Sequence, residues 1–167
     1  RATMPSLEPD VGLPSMPSGQ QVVEDYRHLS LSLKAHPVSF LRANLDARGI
    51  LRHELLPHMP SGRRVTIAGL VLVRQRPGSA KGVVFLTLED ECAVCNAVIW
   101  PQVLEAHRAV VMGARLMLIR GRVQRTGEII HVVASRILDR SHWLARLAED
   151  HAGFRAPLAR ADEVVRP

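Results

Sequence analysis

Cys92 and Cys95 stand three apart, a spacing shared by zinc and redox sites. A structural zinc needs two further thiolate or imidazole ligands at similar spacing, and none of the eight scattered histidines provides one. The surrounding residues alternate as a strand does, so positions three apart face opposite ways, and a redox pair would call for a helix N-terminus. Two reduced cysteines in a sheet are expected, with neither a metal nor a redox function. His28, Ser30, Ser32 and His36 crowd together, but nothing orders them into a base and nucleophile with an orienting acid, so no catalytic residue is nominated. Glu89, Asp90 and Glu91 could hold a cation; they read better as the polar tip of a turn. No glycine-rich phosphate loop of the Walker or dinucleotide kind occurs.

Positive charge is the chemistry that remains. Between Arg63 and Arg136 there are eleven Lys or Arg against five Asp or Glu, and the other positions hold eleven of each. The whole formal charge of +6 therefore falls on one stretch, which points to a partner carrying phosphates. Within it, Arg74, Arg76 and Lys81 sit on a short loop rich in Pro, Gly and Ser. Arg120, Arg122 and Arg125 lie on or beside a later strand.

The elements that carry these cations follow from periodicity. Residues 1–17, rich in Pro and Ser, read as a flexible linker. Ser18 and Gln21 resemble a capping box for a helix at about 19–30. Pro37 suits the start of a second helix with Phe40, Leu41 and Leu45 on one face, closed by Gly49, so 18–60 reads as a small helical subdomain. From Arg63 the period becomes two. The run 63–75 is a first strand, and Gly69 near its middle is expected to allow a bend or bulge. Strands at 83–90 and 92–100, a helix opened by Pro101, and strands at 114–124 and 129–138 complete the series. Three strands, a helix and two strands are the order of an OB-fold, a five-stranded Greek-key β-barrel, over 61–140. An SH3-like barrel has no helix of that length at that place. Ser141 can cap a helix over 141–152 that carries Trp143, Leu144 and Leu147, and 153–167 reads as a mobile tail. No apolar run is long enough to span a bilayer, so a cytoplasmic chain with no membrane partner is expected.

Strand parity then selects a face. Val84, Leu86 and Leu88 form one aliphatic set, and Cys95, Ala97 and Ile99 another; both are assigned to the core. Phe85, Thr87, Val94, Asn96, Val98 and Trp100 are left outward. An OB barrel binds oligonucleotides across its second and third strands, between the loops that join strands one to two and four to five. Arg74, Arg76 and Lys81 would grip phosphates on one flank and Arg125 on the other, as one basic rim, with Arg120 and Arg122 extending it. Phe85 and Trp100 are the candidate stacking platforms. With aromatics at 4% of the chain, contact is expected to be weak and indifferent to sequence.

The residues also carry a family likeness. VEDYRHLSLSLKAHPVSFLR, GRRVTIAGLVLVRQRPGSAKGVVFLTLED, NAVIWP, GRVQR and IIHVVA resemble the C-terminal part of bacterial error-prone DNA polymerases, of the C-family DNA polymerase III α-subunit type. The likeness covers about 18–140 and the closing DEVVRP. It implies a DNA-contacting OB domain near single-stranded template, serving DNA repair and translesion synthesis, with the rest of the polymerase, the sliding clamp and damage-tolerance proteins as partners. In that family divalent metal ions (Mg) are held by carboxylates of the palm, which this chain lacks. No cofactor is expected here, and the chain alone is expected to be inactive as a polymerase. In such proteins the turn between strands two and three usually carries Gly, whereas here it reads Glu91-Cys92-Ala93, so a looser turn is expected. A protein-docking module that never touches DNA is the alternative. An anticodon-binding domain is a third, weakened by the flanking SLKAHP segment.

Overall fold

Alternating apolar and polar positions make five strands: β1 (Arg64–Gln75), β2 (Val84–Glu89), β3 (Val94–Ile99), β4 (Leu116–Thr126) and β5 (Ile129–Asp139). The computed structural model describes residues 35–147 and 149. The linker at 1–17, the capped helix at 19–30 and the tail at 153–167 lie outside the described residues. The strands close in the order β1-β2-β3-β5-β4, antiparallel except where β3 meets β5. That closed Greek-key barrel is the OB-fold.

The barrel interior is aliphatic. Ile67, Val71, Leu86, Leu88, Ile99, Met117 and Ile119 are each at most 2% exposed, as inward positions of a small closed sheet should be. The helix α2 (Pro101–Gly113) joins β3 to β4 and adds Leu104 and Val111 to this core.

A second apolar cluster lies outside the barrel. Ala68 and Leu70 of β1 and Leu116 and Leu118 of β4 point outward and are buried there. Val38 and Leu45 of α1 (Pro37–Ala47) cover them, together with Leu144 and Leu147 from the helical residues 141–147. The buried stripe of α1 is Val38, Arg42 and Leu45, with Leu41 partly covered; Phe40 turns to solvent, against the sequence expectation. Gly49 (φ 71) ends the helix, with Gly49 N–H donating to Asp46 O and Ile50 N–H to Leu45 O, a Schellman closure.

Two further expectations need correction. Gly69 is not a bulge; the register shifts between Val71 and Val73 instead. At Gly69 a β-carbon would lie 2.9 Å from both the Glu89 carbonyl oxygen and the His53 ring, so the glycine serves close approach. Ser141 does not cap its helix. Its hydroxyl accepts the N–H groups of Arg115 (2.8 Å) and Leu116 (3.3 Å), while Asp139 Oδ1 receives the Ser141 N–H (2.8 Å).

Candidate nucleic-acid interface

Among the described residues, α1 and residues 141–147 cover the outward Ala68, Leu70, Leu116 and Leu118 of β1 and β4, while the outward Phe85 and Val98 of β2 and β3 belong to neither apolar cluster. Phe85 lies opposite Val98, and Thr87 opposite Asn96, with the Thr87 hydroxyl donating to Asn96 Oδ1 (3.2 Å). Across the parallel seam Asn96 faces His131 and Val98 faces Val133. Val98, though outward in parity, is only 8% exposed because Phe85 and Val133 flank it on the neighbouring strands. The row above and the rims are open: Val73 is 40%, Val94 52%, Trp100 51% and Ile129 58% exposed. Val73, Val94 and Ile129 share the outward parity of half-buried Phe85, and exposed Trp100 directly follows β3.

Arg76 and Lys81 stand exposed on the loop from β1 to β2, at the edge of that face. Gly82 lies between Arg76 and α2: a β-carbon there would sit 3.7 Å from Arg76 Nη2 and 3.5 Å from the Pro101 ring. The Arg76 guanidinium is therefore near Pro101, at the start of α2. Lys81 has φ 48, the one positive value at a non-glycine among the described residues, a strain that loops commonly hold at functional positions.

The other nominated cations are elsewhere. Arg74 leaves the set: after the bulge it takes an inward register position opposite Leu86. Its guanidinium donates to the Val111 carbonyl (2.7 Å) and to that of Ala114, satisfying carbonyls at the end of α2. Arg125 donates to the Pro57 and Met59 carbonyls and so ties β4 to the segment before β1. Arg120 and Arg122 are exposed on β4, two strands from β2 by way of β1. The cations form two groups rather than one rim, because a closed sheet turns β4 away from β2.

Sequence reasoning missed Arg63 and Arg64, which join Arg120 and Arg122 around an open groove of about 1050 Å³, and Arg136, opposite Arg120. It also missed His131 on the β5 part of the outer face. Strand parity was the available signal for Arg64 and His131, whereas Arg136, in the same parity as buried Val132 and Ala134, is turned outward only by the register shift between β4 and β5.

The acidic turn proves structural. Asp90 Oδ1 accepts the N–H of Cys92 and of Ala93 (2.9 Å each), and Oδ2 accepts that of His53 (2.8 Å). No residue of this turn has a positive φ, so Asp90 replaces the glycine that a tighter turn would need. Arg42, 8% exposed, donates to Glu91 through Nε and through Nη2 (2.9 Å), and lies 3.3 Å from Asp90 Oδ2. Burial works against the ionised Asp90, but the backbone N–H donors outweigh it and hold its carboxyl below the usual range. Glu91 is held low in the same way, burial opposing and the Arg42 guanidinium prevailing. Asp90, Glu91 and Cys92 bring potential ligand atoms within 4.8 Å of one another, yet both carboxylates are engaged by Arg42 and by backbone N–H groups. Cys95 Sγ lies 3.6 Å from His53 Nε2, but both are buried, and burial pushes the Cys95 thiol up, the opposite of an activated nucleophile.

Residues 65–139 match the family model described as an OB-fold nucleic acid binding domain, of the tRNA anti-codon type. Error-prone DNA polymerase 1 of Rhizobium meliloti (strain 1021) is 50% identical over 161 residues, 96% of this chain and 14% of that protein. The error-prone DNA polymerase of Caulobacter vibrioides is 53% identical over 159 residues, 95% of this chain and 15% of that protein. The chain thus spans about a seventh of the length of these relatives. Among solved structures, asparaginyl-tRNA synthetase from Pyrococcus horikoshii overlaps 55% of this chain and 22% of its own, at 21% identity and TM-score 0.45.

Proposed function

Because residues 65–139 are an OB-fold nucleic acid binding domain in a chain half identical to the C-terminal part of bacterial error-prone DNA polymerases, we propose that the barrel holds single-stranded template DNA for such a polymerase. The observation that carries this reading is the outer face of β2, β3 and β5, whose outward residues Phe85 and Val98 no helix among the described residues draws into an apolar cluster. It is largely uncharged, offers Phe85, Asn96 and Trp100 to bases, and has Arg76 and Lys81 at its edge for phosphates. Such a surface grips a flexible strand without reading its sequence, because every base has a π-face and every nucleotide a phosphate. The setting is error-tolerant synthesis past damaged template in DNA repair, in the cytoplasm. The remainder of the polymerase, the sliding clamp and damage-tolerance proteins are the partners. Nucleotide transfer belongs to the palm and its metal ions, and this barrel contributes positioning.

Fluorescence anisotropy of the 167-residue chain with a labelled single-stranded oligonucleotide, across a salt series, tests the reading. Arg76→Ala/Lys81→Ala should reduce the slope of log K against log salt by about 1.4, since each lost phosphate contact on single strands is worth roughly 0.7. Trp100→Ala, at an exposed position, should weaken binding by about 1–3 kcal/mol if a base stacks there. No binding at low salt would overturn the proposal. The exposed Val73, Val94 and Ile129 would then favour the second reading, a face that docks another polymerase domain.

A further inference from the structure

The β1–β4 groove contains a charge arrangement that the isolated chain does not benefit from. Arg64 stands directly opposite Arg122 across the β1–β4 ladder, and Arg120 directly opposite Arg136 across the β4–β5 ladder. Like charges in directly opposed positions destabilise a sheet. All four are exposed, none is ion-paired to a described acid, and no Asp or Glu lines the groove among the described residues. Three other described cations are handled differently: Arg42 has its carboxylates, and Arg74 and Arg125 have carbonyls. Among the described strand residues, Arg64 and Arg122, and Arg120 and Arg136, are the cations set opposite one another.

The groove is also shaped by backbone. Gly62 N–H donates to Val123 O (2.7 Å), and Val123 N–H to Arg63 O (2.9 Å), which folds the segment before β1 along one side and presents Arg63 beside Arg64. On the other side the β4–β5 register shifts between Arg120 and Gly121, with Ser135 as the extra residue on β5. Gly121 is required there because a β-carbon would run into the Val133 carbonyl oxygen. The groove is open there, with Arg63, Arg64, Arg120 and Arg122 among its lining residues.

Register connects this groove to the β2–β3 face. Phe85, Val98, Val133, Arg122 and Arg64 are successive cross-strand partners around the barrel. From Val98 to Arg122 is two strand spacings, about 10 Å, or about three nucleotides at the 3.4 Å rise of a stacked strand. We propose that a single strand lying on the β2–β3 face continues over β5 into the arginine groove, where Arg64, Arg120, Arg122 and Arg136 take its phosphates. This extension rests on the reading of the β2–β3 face given above. It assigns the repelling pairs a ligand that neutralises them, and it makes the barrel's footprint longer than that face.

The test compares two labelled single-stranded oligonucleotides, one of about 4 and one of about 15 nucleotides, near the limits of OB-fold site sizes. The chain and its Arg120→Ser/Arg122→Ser variant are each titrated across a salt series. For the longer strand the variant's salt slope should fall by about 1.4, two phosphate contacts at roughly 0.7 each, while the short strand should bind both proteins alike. Thermal unfolding at low salt should give the variant a midpoint equal to or above that of the parent, since two repulsions are relieved. An unchanged long-strand slope would overturn the groove and leave the face reading intact. Long-strand binding that depends on the groove without any short-strand binding would sink the face reading and with it the continuous path. A variant that melts earlier than the parent would refute the argument from like-charge repulsion.

Discussion

Replacing Arg42 by alanine strips a buried guanidinium from the acidic turn between β2 and β3. Three carboxylates surround it, but they are not equivalent. Asp46 is exposed and also pairs with Arg52 at 3.0 Å, so its bond to Arg42 contributes little. Glu91, in a two-bond fork, and fully buried Asp90 carry the effect. Removing one partner from a buried pair costs about 3–5 kcal/mol, because the remaining charge stays desolvated. Asp90 keeps its three backbone N–H donors and Glu91 keeps some access to water, which argues for the lower end, about 3 kcal/mol. For a chain of this size that is a fall in Tm of about 6–12 °C. The pH dependence follows from the carboxyls. Both titrate below their ordinary values in the folded chain, so their stabilisation is complete above the unfolded pKa of about 4 and is lost as pH falls through the lower folded values. Without Arg42, burial dominates at Glu91 and raises it, so the gap between parent and variant should shrink as pH drops from about 7 to 3. Urea unfolding at several pH values measures this, and a cycle with Glu91→Ala should return a coupling of about 1–3 kcal/mol. A loss below about 1 kcal/mol at neutral pH, or a gap that does not change with pH, would refute the account of a buried clamp.

Arg74→Met keeps the aliphatic stem and removes the donors to the end of α2. It should cost about 1.5–3 kcal/mol in urea unfolding and leave oligonucleotide affinity at the parent value, in contrast to Arg76→Ala/Lys81→Ala. Gly121→Ala forces a methyl against the Val133 carbonyl and should destabilise by at least about 1–3 kcal/mol. Gly78→Ala, with nothing within 4 Å, should be neutral or gain up to about 1 kcal/mol, and thermal unfolding separates the two. A thiol reagent at mildly alkaline pH should modify exposed Cys92 in the native chain and reach buried Cys95 only on unfolding. Two fast equivalents would contradict the sealed Cys95–His53 contact.

Period-two alternation is a property of neighbours along the chain, so the inward sets Val84, Leu86, Leu88 and Cys95, Ala97, Ile99 were legible from sequence, as were the Gly49 helix end and the order of elements that closes the barrel. The concentration of positive charge between Arg63 and Arg136 was equally plain. The destination of each cation was not. Arg74 reaches carbonyls 37 and 40 residues away, and Arg42 reaches carboxylates 48 and 49 residues away. No local pattern announces such pairs, and Glu89-Asp90-Glu91 therefore read as a loose polar tip. Parity could nominate the outer sides of β1 and β4, but only the docking of α1 and residues 141–147 decided which half of them is core and which half is an arginine groove. Sequence determines which side a strand residue faces because the pleat is local. Whether that side meets water, a helix or a partner depends on what packs there, and packing is decided by the closed chain as a whole.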